Sequence, residues 1–184
     1  MEFKIDIKIF LIALVFLLVN QIYMYILFMT FAIIHECFHL LAGIILGYKV
    51  KSIKIMPLGL SIAFNEKEEE YNAKIKRSNF NNVKKIIILL MGPISNIVIA
   101  FFFMLLNMAI PVYINILIAI FNLLPIYPLD GGQILNRVLR IIYGNFEAYK
   151  ISNSVNNIIM SILTALASIG LLCTKNIAII FIII

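Results

Sequence analysis

Long apolar runs constrain the fold of this chain more than any other feature of its sequence. Of its 184 residues, 63% are hydrophobic and 13% are charged, a composition far from that of soluble domains. A helix needs roughly 20 residues to cross about 30 Å of hydrocarbon. We therefore predict an all-α membrane protein with about six transmembrane or re-entrant helices, at 9–28, 29–47, 86–106, 112–128, 157–173 and 176–184.

These helices are expected to form one polytopic membrane domain over 1–184, with its core at 29–135 and a cytoplasmic loop at 48–85. The last run, 176–184, is too short to cross a bilayer alone. It is interpreted as re-entrant, as one arm of a hairpin with the preceding span, or as a truncated span.

Lysine and arginine are distributed very unevenly between the segments that join the predicted spans. If the N-terminus is cytoplasmic, two lie before the first span, nine in 48–85 and three in 131–156, and only Lys175 lies outside. The positive-inside rule therefore predicts this orientation. Because the basic residues are dispersed among apolar spans, the net charge of +6 does not indicate nucleic-acid binding.

The segment 48–65 has the pattern of a β-hairpin. Polar and apolar residues alternate over 49–55, and the apolar stretch 60–64 follows Pro57 and Gly59. We predict a small membrane-associated β-hairpin after the second helix. Its role has two open interpretations: an edge strand that binds an extended substrate, or an amphipathic hairpin that lies on the membrane surface.

An H-E-x-x-H motif lies in the second predicted span, at His35, Glu36 and His39. Positions i and i+4 share one face of a helix, so the two imidazoles can bind one metal ion. Glu36 is offset by about 100°, which lets its carboxylate reach water beside that ion. The alternative is a chance match whose polar side chains hydrogen-bond between helices, but ionisable groups inside a span usually mark function.

A catalytic zinc ion normally takes three protein ligands, so the motif lacks one. Beyond the cytoplasmic loop, the acidic residues are Asp130 and Glu147. Asp130 follows a stretch, 122–129, in which two prolines three residues apart break the span. Irregular backbone at membrane depth is buried in protein or lines a cavity, so this break is expected to adjoin the metal site.

Asp130 also has an ordinary structural interpretation. With Gln133 three residues later it resembles a capping box, which would open an amphipathic helix from Gly132 to Tyr143. Beside a metal site that lacks its third ligand, the ligand interpretation is favoured.

Taken together, H-E-x-x-H in an early span and N-x-x-P-x-x-P-L-D-G-G at 122–132 resemble the site-2 protease family of intramembrane zinc metalloproteases. The segment Gly92-Pro93-Ile94-Ser95-Asn96 also matches the G-P-x-x-N element of that family. The resemblance covers roughly 33–135. Within the family, the chain is most similar to the stage IV sporulation protein FB group, although the CBS domain usual in that group is not expected here.

The resemblance implies a Zn²⁺ cofactor with ligands at His35, His39 and Asp130 and a catalytic base at Glu36. It also implies supporting polar roles for Asn122 and Asn96. Asn122 could donate to an oxyanion or a substrate backbone, or could form an interhelical hydrogen bond. For Asn96, and for Gly92 as a site of close helix packing, the structural role is favoured.

The implied activity is hydrolysis of a peptide bond in a membrane-embedded or membrane-tethered protein, such as a pro-sigma factor, in regulated intramembrane proteolysis during sporulation. The expected location is a bacterial cell membrane, with the active site toward the cytoplasmic side. The partners are then the substrate, the lipid bilayer and a regulatory membrane protein. The alternative is a non-catalytic zinc-binding receptor or chaperone, against which Glu36 argues, because a structural zinc site has four protein ligands and needs no base.

Overall fold

Helices make up most of the structure, a computed structural model in which residues 2–5, 7–56, 59–64 and 75–174 are described. The described residues form five helices and three strands. In chain order these are β1 (Glu2–Ile5), α1 (Lys8–Leu18), α2 (Ile22–Ile45), β2 (Val50–Met56), β3 (Gly59–Phe64), α3 (Ile75–Leu105), α4 (Ala109–Asn122) and α5 (Asp130–Thr174). The chain divides into two compact units, 1–123 and 124–184.

Two helical segments among the described residues are long and apolar enough to cross a membrane, Ile22–Ile45 and Asn79–Leu105. Helices α1 and α4 are apolar but shorter. The mostly helical fold is as predicted, whereas the number of six spans is not confirmed. The predicted span 176–184 lies outside the described residues.

Helices α1, α2 and α3 all end in a left-handed residue, at Asn20 (φ 57°), Gly47 (φ 84°) and Asn107 (φ 55°) respectively. After α2, the backbone N–H of Tyr48 donates to the carbonyl of Gly43 at 2.9 Å, the closing bond of a Schellman motif. The same motif at Asn20, in which the N–H of Gln21 donates to the carbonyl of Phe16 at 2.8 Å, ends α1 after only 11 residues. The predicted boundary between residues 28 and 29 is therefore wrong, and α2 begins at Ile22.

Helices α2 and α3 pack against each other in opposite directions. Near the start of α2, the ring of Phe31 meets the ring of Phe103 edge to face, with 5.7 Å between centroids. At the other end, the Lys84 ammonium donates to the carbonyl of Leu46 at 3.3 Å. This contact supplies a donor to the C-terminus of α2, where a cation also complements the helix dipole.

The three strands form one sheet in the order β1-β2-β3. Strands β2 and β3 are antiparallel, with Ile53 opposite Ile62, which confirms the predicted hairpin. Strand β1 pairs parallel to β2 and was not predicted. The ring of Phe64, at the end of β3, occupies the space beside Gly43 that a Cβ atom would need, so the hairpin packs directly on α2.

The second unit begins with a loop at 124–129 and continues as α5. Gly144 has φ 81° and ψ 175°, so α5 is two helices joined at a kink. The first of them therefore ends at Tyr143, which is where the amphipathic helix of the capping-box interpretation was expected to end.

Candidate metal centre

The two histidines of the H-E-x-x-H motif lie on the buried side of α2. His35 is 3% exposed and His39 is 6% exposed. Their Nε2 atoms lie 3.0 Å apart, because the one-turn spacing along the helix brings the two rings together. Two nitrogen ligands about 2.0–2.1 Å from a tetrahedral zinc ion would lie about 3.3 Å apart, so the observed pair suits a shared metal ion.

The outer nitrogens of both rings have fixed partners on α3. The Nδ1 atom of His39 lies 2.7 Å from the carbonyl oxygen of Ile88, and the Nδ1 atom of His35 lies 2.6 Å from Oδ1 of Asn96. Both partners accept hydrogen bonds, so each neutral imidazole carries its proton on Nδ1. The two Nε2 atoms then face each other with lone pairs, which is the arrangement of metal ligands supported by outer hydrogen bonds.

One face of α3 carries three residues that meet the histidines, at intervals of four: Ile88, Gly92 and Asn96. A Cβ atom at Gly92 would overlap the Nε2 atoms of both imidazoles. Glycine at this position therefore leaves the space in which the ring nitrogens converge. The sequence favours a packing role for Gly92, and the structure locates the packing at the candidate metal site.

Asp130 is 9% exposed and is the first residue of α5. A hydrogen bond joins the preceding loop to the first turn of the helix, because the side-chain amide of Gln133 donates to the carbonyl of Pro128 at 2.9 Å. A Cβ atom at Gly132 would overlap the backbone of Ile126 and Tyr127. The second glycine after Asp130 is therefore required by the close approach of the loop.

His35 and His39 are two buried nitrogen donors on α2, and Asp130 is a buried carboxylate at the start of α5. Two imidazoles and one carboxylate are the ligand set of zinc in many hydrolases, with a fourth position left for water or substrate. Glu36 follows His35 directly and is half-buried. The chemistry of the donor set, with the two Nε2 atoms facing each other, thus fits a zinc ion.

The two asparagines named from the sequence differ in their surroundings. Asn96 is fully buried and contacts a histidine of the motif. The Asn122 amide donates to the carbonyl of Ile118 in its own helix at 3.0 Å. A third asparagine, Asn115, is also fully buried and is not among the predicted site residues, although a polar amide within an apolar run is a signal in itself.

A sequence model of peptidase family M50 matches this chain over residues 23–112 and 105–166. Zinc metalloprotease MJ0392 from Methanocaldococcus jannaschii is 27% identical over 135 residues, which make up 72% of this chain and 39% of that protein. This chain therefore spans well under half the length of that relative. Among solved structures, the site-2 protease from Methanocaldococcus jannaschii superposes with a TM-score of 0.71 at 21% identity, covering 100% of this chain and 87% of that one, a likeness of fold.

Proposed function

Since the chain belongs to peptidase family M50, we propose that it is an intramembrane zinc metalloprotease that hydrolyses a peptide bond of a membrane-embedded or membrane-tethered protein. The observation that carries this proposal is the pair of buried imidazoles of His35 and His39, whose Nε2 atoms lie 3.0 Å apart on the helix that also carries Glu36. Both Nδ1 atoms already have hydrogen-bond partners on α3. The Nε2 atom of each ring is therefore directed at the other histidine, and neither ring needs to move to bind a metal ion.

In this mechanism His35, His39 and Asp130 would hold the zinc ion, and Glu36 would accept and donate the proton. When bound, a zinc ion would supply a Lewis acid for the scissile carbonyl and would favour deprotonation of water. Glu36 accepts a proton from the attacking water as its oxygen bonds to the carbonyl carbon. The same carboxyl then delivers that proton to the leaving amine as the carbon–nitrogen bond breaks.

The ligand set is tested by the zinc content of the purified protein. Wild type is expected to bind one zinc ion per chain, and Asp130→Asn is expected to lower zinc affinity more than about tenfold, since loss of even an outer partner costs 10–100-fold. The measurement is competition with a chelating dye in detergent. Glu147→Gln, which neutralises an exposed carboxylate of α5, is the matched control and should bind zinc as wild type does. Normal affinity in Asp130→Asn would remove that residue from the proposed ligand set.

The finer proposal is that the substrate is a membrane-tethered pro-sigma factor of a spore-forming bacterium and that a regulatory membrane protein controls the cleavage. The support for it is the resemblance of the motifs to the stage IV sporulation protein FB group. Co-expression with candidate tethered substrates, followed by their electrophoretic mobility, would identify the one that is cut.

We also propose that the N-terminus is cytoplasmic and that cleavage occurs on the cytoplasmic side of the membrane. Helix α2 then ends at the cytoplasm with Ile45, which is six residues beyond His39 and ten beyond His35. At 1.5 Å per residue the two histidines lie about 9 and 15 Å from that end. The distribution of basic residues supports this orientation.

Labelling of single cysteines tests the orientation. In a background without Cys37 and Cys173, Asn107→Cys is expected to react with an impermeant maleimide in intact cells, because the turn between α3 and α4 would face outward. Lys49→Cys, after α2, is expected to react only when the cells are permeabilised. Both positions are exposed in the structure. The opposite pattern of labelling would reverse the proposed topology.

A further inference from the structure

Two asparagines connect His35 to a backbone carbonyl on α4. Oδ1 of Asn96 lies 2.6 Å from Nδ1 of His35. The Asn96 amide nitrogen donates to Oδ1 of Asn115 at 3.0 Å, and the Asn115 amide nitrogen donates to the carbonyl of Pro111 at 2.9 Å. Both asparagine side chains are 0% exposed. We call this series of contacts the asparagine chain.

The asparagine chain has a direction, and the carbonyl of Pro111 sets it. A carbonyl oxygen can only accept, so the Asn115 side chain must turn its NH₂ group toward Pro111 and its oxygen toward Asn96. Asn96 must then turn its NH₂ group toward Asn115 and its oxygen toward His35. The proton of neutral His35 consequently lies on Nδ1, and Nε2 keeps its lone pair.

If Asn115 were replaced by an apolar residue, this direction would be lost. The amide of Asn96 could rotate by 180° and offer its NH₂ group to Nδ1 of His35, because O and N of an amide have nearly the same shape. His35 would then carry its proton on Nε2, where it could not bind a metal ion. His39 has no such dependence, since its Nδ1 atom contacts the carbonyl of Ile88 directly.

We propose that Asn115 is a positioning residue of the metal centre, which orients Asn96 and thereby holds His35 in the tautomer that binds zinc. The inference rests on the proposed function, because the tautomer of His35 matters for a metal ligand. This role differs from that of a structural hydrogen bond between helices. A structural bond would stabilise the packing of α3 on α4 in either amide orientation, whereas the positioning role requires one orientation.

Zinc affinity of the purified chain, measured by chelator competition, is the first test. Asn115→Leu keeps a similar volume and is expected to weaken zinc binding about tenfold, at the lower end of the range for outer partners of metal ligands. Ser95→Ala is the matched control, because it removes another buried hydrogen bond of α3, from Ser95 Oγ to the carbonyl of Gly92. The control is expected to bind zinc as wild type does.

Rescue by Asn96→Asp separates positioning from packing. A carboxylate presents an acceptor oxygen to His35 in either orientation, so it no longer needs Asn115 to orient it. Asn96→Asp should therefore improve zinc affinity several-fold more in the Asn115→Leu background than in wild type. In wild type the new carboxylate would face Oδ1 of Asn115, and two acceptor oxygens repel each other. The absorption spectrum of bound Co²⁺ should return to the wild-type form in the double variant.

Each outcome of these measurements either supports or overturns the positioning role of Asn115. Equal effects of Asn96→Asp in the two backgrounds, or an unchanged affinity in Asn115→Leu, would overturn the positioning role while leaving the zinc site in place. A wild-type chain without zinc affinity would overturn the proposed function and this inference with it. If Asn115→Leu cannot be recovered folded, Asn115→Ala removes the same amide, and the same rescue is expected in that variant.

Discussion

Glu36→Gln is expected to lower cleavage of a membrane-tethered substrate by about 10²–10⁴-fold while the chain keeps its zinc ion. Glutamine has nearly the shape of glutamate but cannot accept the proton of the attacking water. Glu36 is not one of the proposed ligands His35, His39 and Asp130, so the substitution leaves those three side chains unchanged. The measurements are the rate of substrate cleavage on co-expression and the zinc content of the purified variant.

Two comparisons make the Glu36→Gln result interpretable. Glu147→Gln makes the same chemical change at an exposed position of α5 and should cleave as wild type does. His35→Ala should lose zinc and activity together, because it removes a proposed ligand. Cleavage by Glu36→Gln at the wild-type rate would exclude it as the base, and loss of zinc in the same variant would assign it to the binding of the metal.

Gly92→Ala is expected to abolish zinc binding, and activity with it. The added methyl group would overlap the Nε2 atoms of both His35 and His39, the two atoms proposed to hold the ion. The imidazole rings have little freedom to move away from the added methyl group, because each Nδ1 atom already makes a hydrogen bond with α3. The measurement is zinc affinity by chelator competition, together with the thermal midpoint of unfolding to establish that the variant is folded.

Gly43→Ala is the matched control for that result. It adds the same methyl group to another buried glycine, on α2, where the new atom would meet the ring of Phe64. Because Phe64 ends a strand and its ring is the far end of a side chain, the hairpin can shift and the zinc ion should be retained. Normal zinc affinity in Gly92→Ala would mean that the space beside Gly92 is not the metal site.

Features that depend on neighbours in the chain were predicted well. The pairing of His35 with His39 follows from the pitch of a helix, and the break before Asp130 follows from the two prolines. The β2-β3 hairpin follows from the alternation of polar and apolar residues. The turn at Asn20 could also have been predicted from local sequence, because Asn20 and Gln21 interrupt an apolar run. The predicted boundary between the first two helices was instead eight residues later.

The sequence by itself determined which residues could bind a metal ion and why they lie on one face of α2. Only the tertiary structure decided how the two imidazoles are oriented, because the partners of their Nδ1 atoms lie 49 and 61 residues further along the chain. The need for glycine at position 92 and the direction imposed by Asn115 depend likewise on how α2, α3 and α4 pack. Helical periodicity fixes the face of a helix, whereas the proton positions of a buried histidine are fixed by whichever acceptor the packing brings to it.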